Sequence, residues 1–217
     1  MDMLRKALSV IFVAFSCLGS SQAADSVDRP DVRVGDVWKY RSLDGFTNEV
    51  KVETTFRIVE LTASEITTQL QLKGRPTKGQ MIFDRQWNLT DDGASKFEPF
   101  RPEFKFPMSV GSTWKQQAQK TVFSSGATYS YFTEVKIAGN EKVVVPAGSF
   151  DTLRVEAEIE SRSTGSDGTV TKFLSTAWYS REVNRFVRLD IRTIANGRVR
   201  DKFIMELTEY LPSKIRN

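Results

Sequence analysis

Hydrophobic and polar residues alternate along most of this chain with a period of two. Val50, Val52, Phe56 and Ile58 fall on one side of a run whose other side is Lys51, Glu53, Thr55 and Arg57. Ile66, Thr68, Leu70 and Leu72 alternate with Glu65, Thr67, Gln69 and Gln71, and Leu153, Val155, Ala157 and Ile159 with Arg154, Glu156, Glu158 and Glu160. One apolar face and one wet face predict antiparallel strands, and no segment of a dozen residues keeps helical spacing. Turn chemistry separates the runs at Asp44-Gly45, Asp91-Asp92-Gly93, Ser124-Ser125-Gly126, Gly139-Asn140, Ser166-Asp167-Gly168 and Asn196-Gly197. About ten or eleven strands result by this reading. The expected fold is all-β, a curved antiparallel sheet or partly open barrel.

The last hairpin can be argued to its register. Val187, Leu189 and Ile191 share one face, and Val199, Phe203, Met205 and Leu207 another. A two-residue Asn196-Gly197 loop pairs odd with even positions and separates these sets; a three-residue loop, Ala195 to Gly197, aligns them and sets Asp190 opposite Lys202. The three-residue loop is therefore expected.

Val34-Gly35-Asp36-Val37-Trp38-Lys39 recurs as Val110-Gly111-Ser112-Thr113-Trp114-Lys115, with Phe56 and Val59 echoed by Phe132 and Val135. The pattern divides the chain into a first half (32–95), a Phe/Pro connector (96–107) and a second half (108–211), all within one β-rich domain, 24–217. Prolines 99, 102 and 107 argue against a central strand in the connector, which reads as an extended strap. At the N-terminus, Arg5 and Lys6 precede an apolar run, Ala7 to Leu18, and Ser21-Gln22-Ala23 supplies small residues at a cleavage site. Residues 1–23 thus read as a cleaved signal peptide, and the expected location is periplasmic. Ser16-Cys17 partly fits a lipoprotein signal, but Ala14 and Phe15 depart from it, so loss of Cys17 with the peptide is the favoured reading.

Composition narrows the chemistry. The chain is 40% hydrophobic and 27% charged, which is ordinary for a globular domain and too apolar for a disordered one. It has no histidine, which removes Ser-His-Asp and Cys-His catalysis and His-ligated metals. Losing Asp2, Arg5 and Lys6 takes the formal charge from +4 to +3. Carboxylates are the remaining acid–base candidates. Asp84, Asp91, Asp92, Glu98 and Glu103 lie close in sequence, but Asp91-Asp92-Gly93 is what a turn needs, and a calcium loop would want more oxygen ligands at regular spacing. Asn88-Leu89-Thr90 is a glycosylation sequon in form only and reads as strand chemistry. No catalytic residues, metal or cofactor are expected.

Val143-Val-Val-Pro-Ala-Gly-Ser-Phe-Asp-Thr-Leu-Arg-Val155 resembles a VPAG-x-F-x-T strand–turn–strand signature, and Ala177-Trp-Tyr-Ser-Arg-Glu-Val-Asn-Arg-Phe-Val-Arg188 the WY-x-x-x-V-x-R hairpin that follows it. With the two Val-Gly-x-x-Trp-Lys lead-ins, they resemble a family of exported Gram-negative β-proteins catalogued as a domain of unknown function. The resemblance implies an exported setting and a curved sheet similar to the open barrels of lipoprotein-carrier and lipocalin-type folds. It brings no catalytic residues.

The function expected from these features is non-enzymatic: binding of an apolar ligand, lipid or lipoprotein segment on the concave face. Val52, Phe56, Leu70, Trp87, Val155 and Trp178 would line that face, and Phe97, Phe100, Phe104 and Phe106 would form a lid. The alternative is an envelope docking protein acting through sheet edges or a basic stripe, Arg188, Arg192, Arg198, Arg200 and Lys202, against lipid phosphates or an acidic partner. The first carries an apolar small molecule or lipid as partner and the second an envelope protein; nucleic acid is not expected, since no stacking motif accompanies the charge.

Overall fold

The computed structural model describes residues 26–76, 79–165 and 168–214. The signal-peptide reading, Cys17 and the Ser166-Asp167 turn lie outside the described residues. Twelve strands follow one another: β1 (Val37–Asp44), β2 (Val50–Leu61), β3 (Glu65–Leu72), β4 (Gln80–Asp84), β5 (Leu89–Asp91), β6 (Ser95–Arg101), β7 (Thr113–Val122), β8 (Thr128–Val145), β9 (Gly148–Ser163), β10 (Val170–Ser180), β11 (Arg185–Ala195) and β12 (Arg198–Leu211). Each pairs antiparallel with its sequence neighbours, and β1 pairs with β12, so the sheet is a closed barrel. This corrects the expectation of ten or eleven strands in a partly open sheet. Alternation shows that a strand has two faces and does not show whether its far edge is paired.

Three local features account for the strand count. β5 has three residues, too few to show a period. β6 runs through Pro99 inside the supposed connector: its ladder to β7 ends at Glu98, just before the residue that has no N–H to donate. Gly139-Asn140 is not a turn but lies within an 18-residue strand, where a bulge shifts the register of β8 against β9.

The final hairpin is also corrected. Its loop has two residues, Asn196 and Gly197, both at positive φ as a type I′ turn requires, and Ala195 faces Arg198. A register shift after Thr193 then restores odd-with-odd pairing. The apolar sets do align, but Asp190 faces Ile204 and Lys202 faces Arg192.

The repeated lead-in has a structural basis. Gly35 N–H donates to Ile58 O and Ile58 N–H to Asp36 O; likewise Gly111 N–H donates to Ile137 O and Ile137 N–H to Ser112 O. Both glycines sit at positive φ, near 95° and 88°. The echo stops there, since Trp38 faces Phe56 while Trp114 faces Val135 and Phe132 is exposed.

The barrel has two unlike ends. Six hairpins close at the tip end: β1–β2, β3–β4, β5–β6, β7–β8, β9–β10 and β11–β12. The other end carries the opposite connections, the lead-in turns and both ends of the described chain, so we call it the terminal end. A bridge between Val27 and Met108 lies there, with both residues buried.

Candidate functional site

At the terminal end the interior is filled with large rings. Trp38, Tyr40, Phe56, Phe83 and Trp87 are all buried, with edge contacts between Trp38 and Trp87 at 5.5 Å and between Phe83 and Trp87 at 5.3 Å. Their polar atoms are satisfied by the β10–β11 connection and the start of β11: Trp38 Nε1 donates to Val183 O, Trp87 Nε1 to Asn184 O and Tyr40 Oη to Phe186 O, each at 2.8 Å.

Within these rings sits Arg185. Its guanidinium carbon lies 4.4 Å from the Phe56 ring centre and 4.5 Å from that of Trp87, with Trp38, Tyr40, Phe83 and Phe186 within 6 Å. The residue is 4% exposed, forms no ion pair among the described residues, and leaves Nη1 without a hydrogen-bond partner. Burial lowers its pKa, and the Tyr40 and Glu103 charges oppose that shift. The faces of six aromatic rings offer the cation partial compensation. Burial likewise pushes the Tyr40 and Tyr179 phenols well above their ordinary range.

The Phe/Pro strap is fastened here by two side chains of the β4–β5 turn. Asn88 Oδ1 accepts the N–H groups of Glu103 (2.7 Å) and Phe104 (2.8 Å), its Nδ2 donates to Phe104 O, and Gln86 Oε1 accepts the Phe106 N–H. Asp84 orients Asn88 by accepting its N–H and its Nδ2–H. The strap therefore gains through side chains the pairing that a neighbouring strand would supply.

Above this plug, toward the tip end, the interior is not filled. A cavity of about 340 Å³ lies between the strap and the inward faces of β9 to β12. One wall is Val155, Ala157, Ile159, Phe173, Ser175, Ala177, Leu189, Ile191 and Phe203; the other is Phe104, Tyr131 and the Arg101–Glu103 ion pair. The void follows from side-chain size. Ala157 faces Ser175 on the paired strand and Ala177 faces Leu189, so small residues stand side by side where the plug has rings. Polar groups come from Arg101, Glu103, Tyr131, Ser175, Thr193 and Asp201. Arg101 Nε is buried without a partner. The arrangement can hold an apolar group with a few polar anchors.

The sequence-derived candidates separate on this map. Phe104 lines the cavity. Phe97 is buried beside Tyr131, one of the lining residues, with ring centres 5.7 Å apart. Phe106 packs on Phe104 and Tyr179 in the plug, and Trp87 belongs to the Arg185 box. Phe100 is half-buried and outside the cavity lining. Trp178 lies on the outer face, donating to Glu141 Oε2 beneath the Arg188 guanidinium, while its neighbour Tyr179 takes the inward position. Of the basic stripe, Arg188 is paired with Asp190 and Glu206, whereas Arg192, Arg198, Arg200 and Lys202 form no ion pair among the described residues. The acidic candidates serve local structure: Asp91 and Asp92 accept turn N–H groups, and Glu98 and Glu103 pair with Lys96 and Arg101.

Sequence reasoning missed Arg185, which stands just before the basic stripe of β11 and β12. Its inward parity with Val187 and Leu189 was the available signal, and a lone arginine among exposed ones hid it. The small-residue seam of Ala157, Ser175 and Ala177 was visible as letters, but its meaning required the strand pairing.

No protein-family model matches the chain, and no curated protein sequence matches it. Solved structures do. A predicted lipoprotein from Parabacteroides distasonis is 15% identical, with a TM-score of 0.58 over 85% of this chain and 99% of that one. A predicted exported protein with a YmcC-like fold from Bacteroides fragilis is 14% identical, with a TM-score of 0.54 over the same shares. The hypothetical lipoprotein YmcC from Escherichia coli is 10% identical, with a TM-score of 0.44 over 83% and 86%. At these identities the first two establish a shared barrel fold.

Proposed function

We propose that this is a non-enzymatic protein of the cell envelope that binds one apolar ligand, such as a single acyl chain, inside the barrel between the strap and strands β9 to β12. The observation that carries the reading is the 340 Å³ interior void with a mostly apolar lining. Small-molecule sites run from about 300 to 1,000 Å³, so this one suits a single chain or small ring rather than a whole two-chain lipid. An apolar void in a packed protein either stays dry or takes an apolar guest. The signal-peptide pattern of residues 1–23 supports an envelope location, and the two similar barrels described as a lipoprotein and an exported protein accord with it.

Native mass spectrometry of protein isolated without detergent tests the reading, together with titration by an apolar fluorescent probe. A mass excess removed by organic extraction, or saturable probe uptake that the Ala157→Leu/Ser175→Leu variant lacks, is the expected result. A clean mass with no uptake overturns it.

A further inference from the structure

We propose that the tip end of the barrel docks onto an anionic lipid surface. Four large apolar side chains that the core leaves out stand on this rim: Phe46 (56% exposed), Phe123 (55%), Val50 and Val199. The other exposed apolar side chains lie elsewhere, Val34, Val110, Val144 and Leu211 at the terminal end and Phe132 within β8. Phe46 and Val50 are on the β1–β2 hairpin and Val199 on the β11–β12 hairpin, adjacent because β1 pairs with β12 and Gly45 N–H donates to Lys202 O. Phe123 is on the β7–β8 hairpin, six strands away around the barrel, so apolar side chains stand on opposite sides of one rim.

The charge on the β11–β12 tip beside them is predominantly positive. Arg198 and Arg200 are exposed and unpaired among the described residues, Arg192 faces Lys202 across the ladder, and Lys202 holds its ammonium 4.9 Å from the Phe46 ring centre. Two like charges directly opposite cost stability, so this pair is not placed there for the fold. Among the described acidic groups of this rim, Asp44 and Glu49 lie beside Lys51 and Asp91 and Asp92 accept turn N–H groups, while Asp201 is exposed opposite Thr193 and is outnumbered by Arg192, Arg198, Arg200 and Lys202. Ring-bearing tips next to unpaired cations match the two layers of an anionic bilayer surface, its acyl boundary and its phosphates. A soluble protein partner would need a continuous buried patch, and the apolar residues here are separated across a rim. The cavity wall extends toward this end through Phe173, Thr193 and Asp201, so docking would bring the interior toward the membrane.

The test uses the Cys17→Ser protein, so that no acyl group on the chain can contribute. Flotation is measured with phosphatidylcholine vesicles and with vesicles that also contain phosphatidylglycerol. Binding is expected to the anionic vesicles only and to fall at about 0.5 M salt. Arg198→Glu/Arg200→Glu should weaken it at least tenfold, since each cation near such a surface contributes about fivefold. Phe46→Ser/Phe123→Ser should weaken it as well, with unchanged melting temperature. Absence of anionic-vesicle binding, or binding that ignores both double variants, overturns the proposal. Its fate is separable from that of the cavity: tip variants should still take up the apolar probe in free solution, and Ala157→Leu/Ser175→Leu should still float.

Discussion

The two ends of the barrel obey one alternation rule and reach opposite outcomes. At the terminal end the inward positions of β1, β2, β4 and the turn after it carry Trp38, Tyr40, Phe56, Phe83 and Trp87, and the interior closes around Arg185. Toward the tips, β9 and β10 place Ala157, Ser175 and Ala177 at the same kind of position, and the interior stays hollow. Inward parity decides which side chains meet; their volumes decide whether the meeting makes a plug or a site. Each region also leaves one guanidinium nitrogen buried without a partner: Arg185 Nη1 in the plug, where the indole and phenol donors find carbonyls at 2.8 Å, and Arg101 Nε at the cavity.

The largest expected effect lies in the plug. Trp38→Ala should cost about 3–5 kcal/mol in urea unfolding, whereas Phe173→Ala, which borders empty space, should cost under about 2. Equal losses would mean that the cavity collapses in solution and the contrast is false. Next comes the cation at the centre of the plug. Arg185→Ala should cost about 2–3 kcal/mol, because the rings lose their filler. Arg185→Met, which restores the stem without the charge, should change stability by less than about 1.5 kcal/mol. A Met variant as weak as the Ala one would show that the rings' attraction for the guanidinium outweighs its desolvation.

On the hollow side, Ala157→Leu/Ser175→Leu should raise stability by about 1 kcal/mol while lowering apolar-probe affinity at least tenfold. A rise in stability without a loss of probe binding would move the ligand out of the barrel. The smallest effect is on pH dependence. Burial pushes the Tyr210 phenol up to about 12 and those of Tyr40 and Tyr179 higher, while unfolded tyrosines lose their protons near 10. Stability from these groups is therefore complete below about pH 10 and should fall as pH rises beyond it, because the unfolded chain releases protons that the folded one retains. With no histidine in the chain, urea midpoints should show no inflection near pH 6–7. An inflection there would point to a shifted group elsewhere in the barrel.

Much of this was legible in the sequence. The all-β class, the inward sets of β3 and β9, the inward Phe56 and Ile58 of β2, and the turns at Asp44-Gly45 and Ser124-Ser125-Gly126 follow from period-two spacing and turn chemistry, whereas Val50, assigned to the same face of β2, is exposed at the tip. Closure was not legible, because pairing of Val37 with Leu211 leaves no local trace. Nor was the role of Asn88: a buried amide that holds a strap looks in sequence like any polar strand residue. The register of the last hairpin failed for a precise reason. Asn-Gly chose its own two-residue turn, and a bulge then restored the alignment that the apolar sets demand.

The seam between β1 and β12 also sets a timetable. Thr208 bonds to Lys39 O across 169 residues of chain, and Gly45 is so close to Lys202 that a side chain at position 45 would strike it at 2.5 Å. Pairing over such a span is among the slowest steps a chain can take, since loop closure must precede any reward. A polypeptide emerging from its N-terminus therefore has no inside until its last strand arrives. Up to that moment Trp38 lacks its stacking partner Tyr210, and the Arg185 that Trp38, Tyr40 and Phe56 surround arrives only with the penultimate strand.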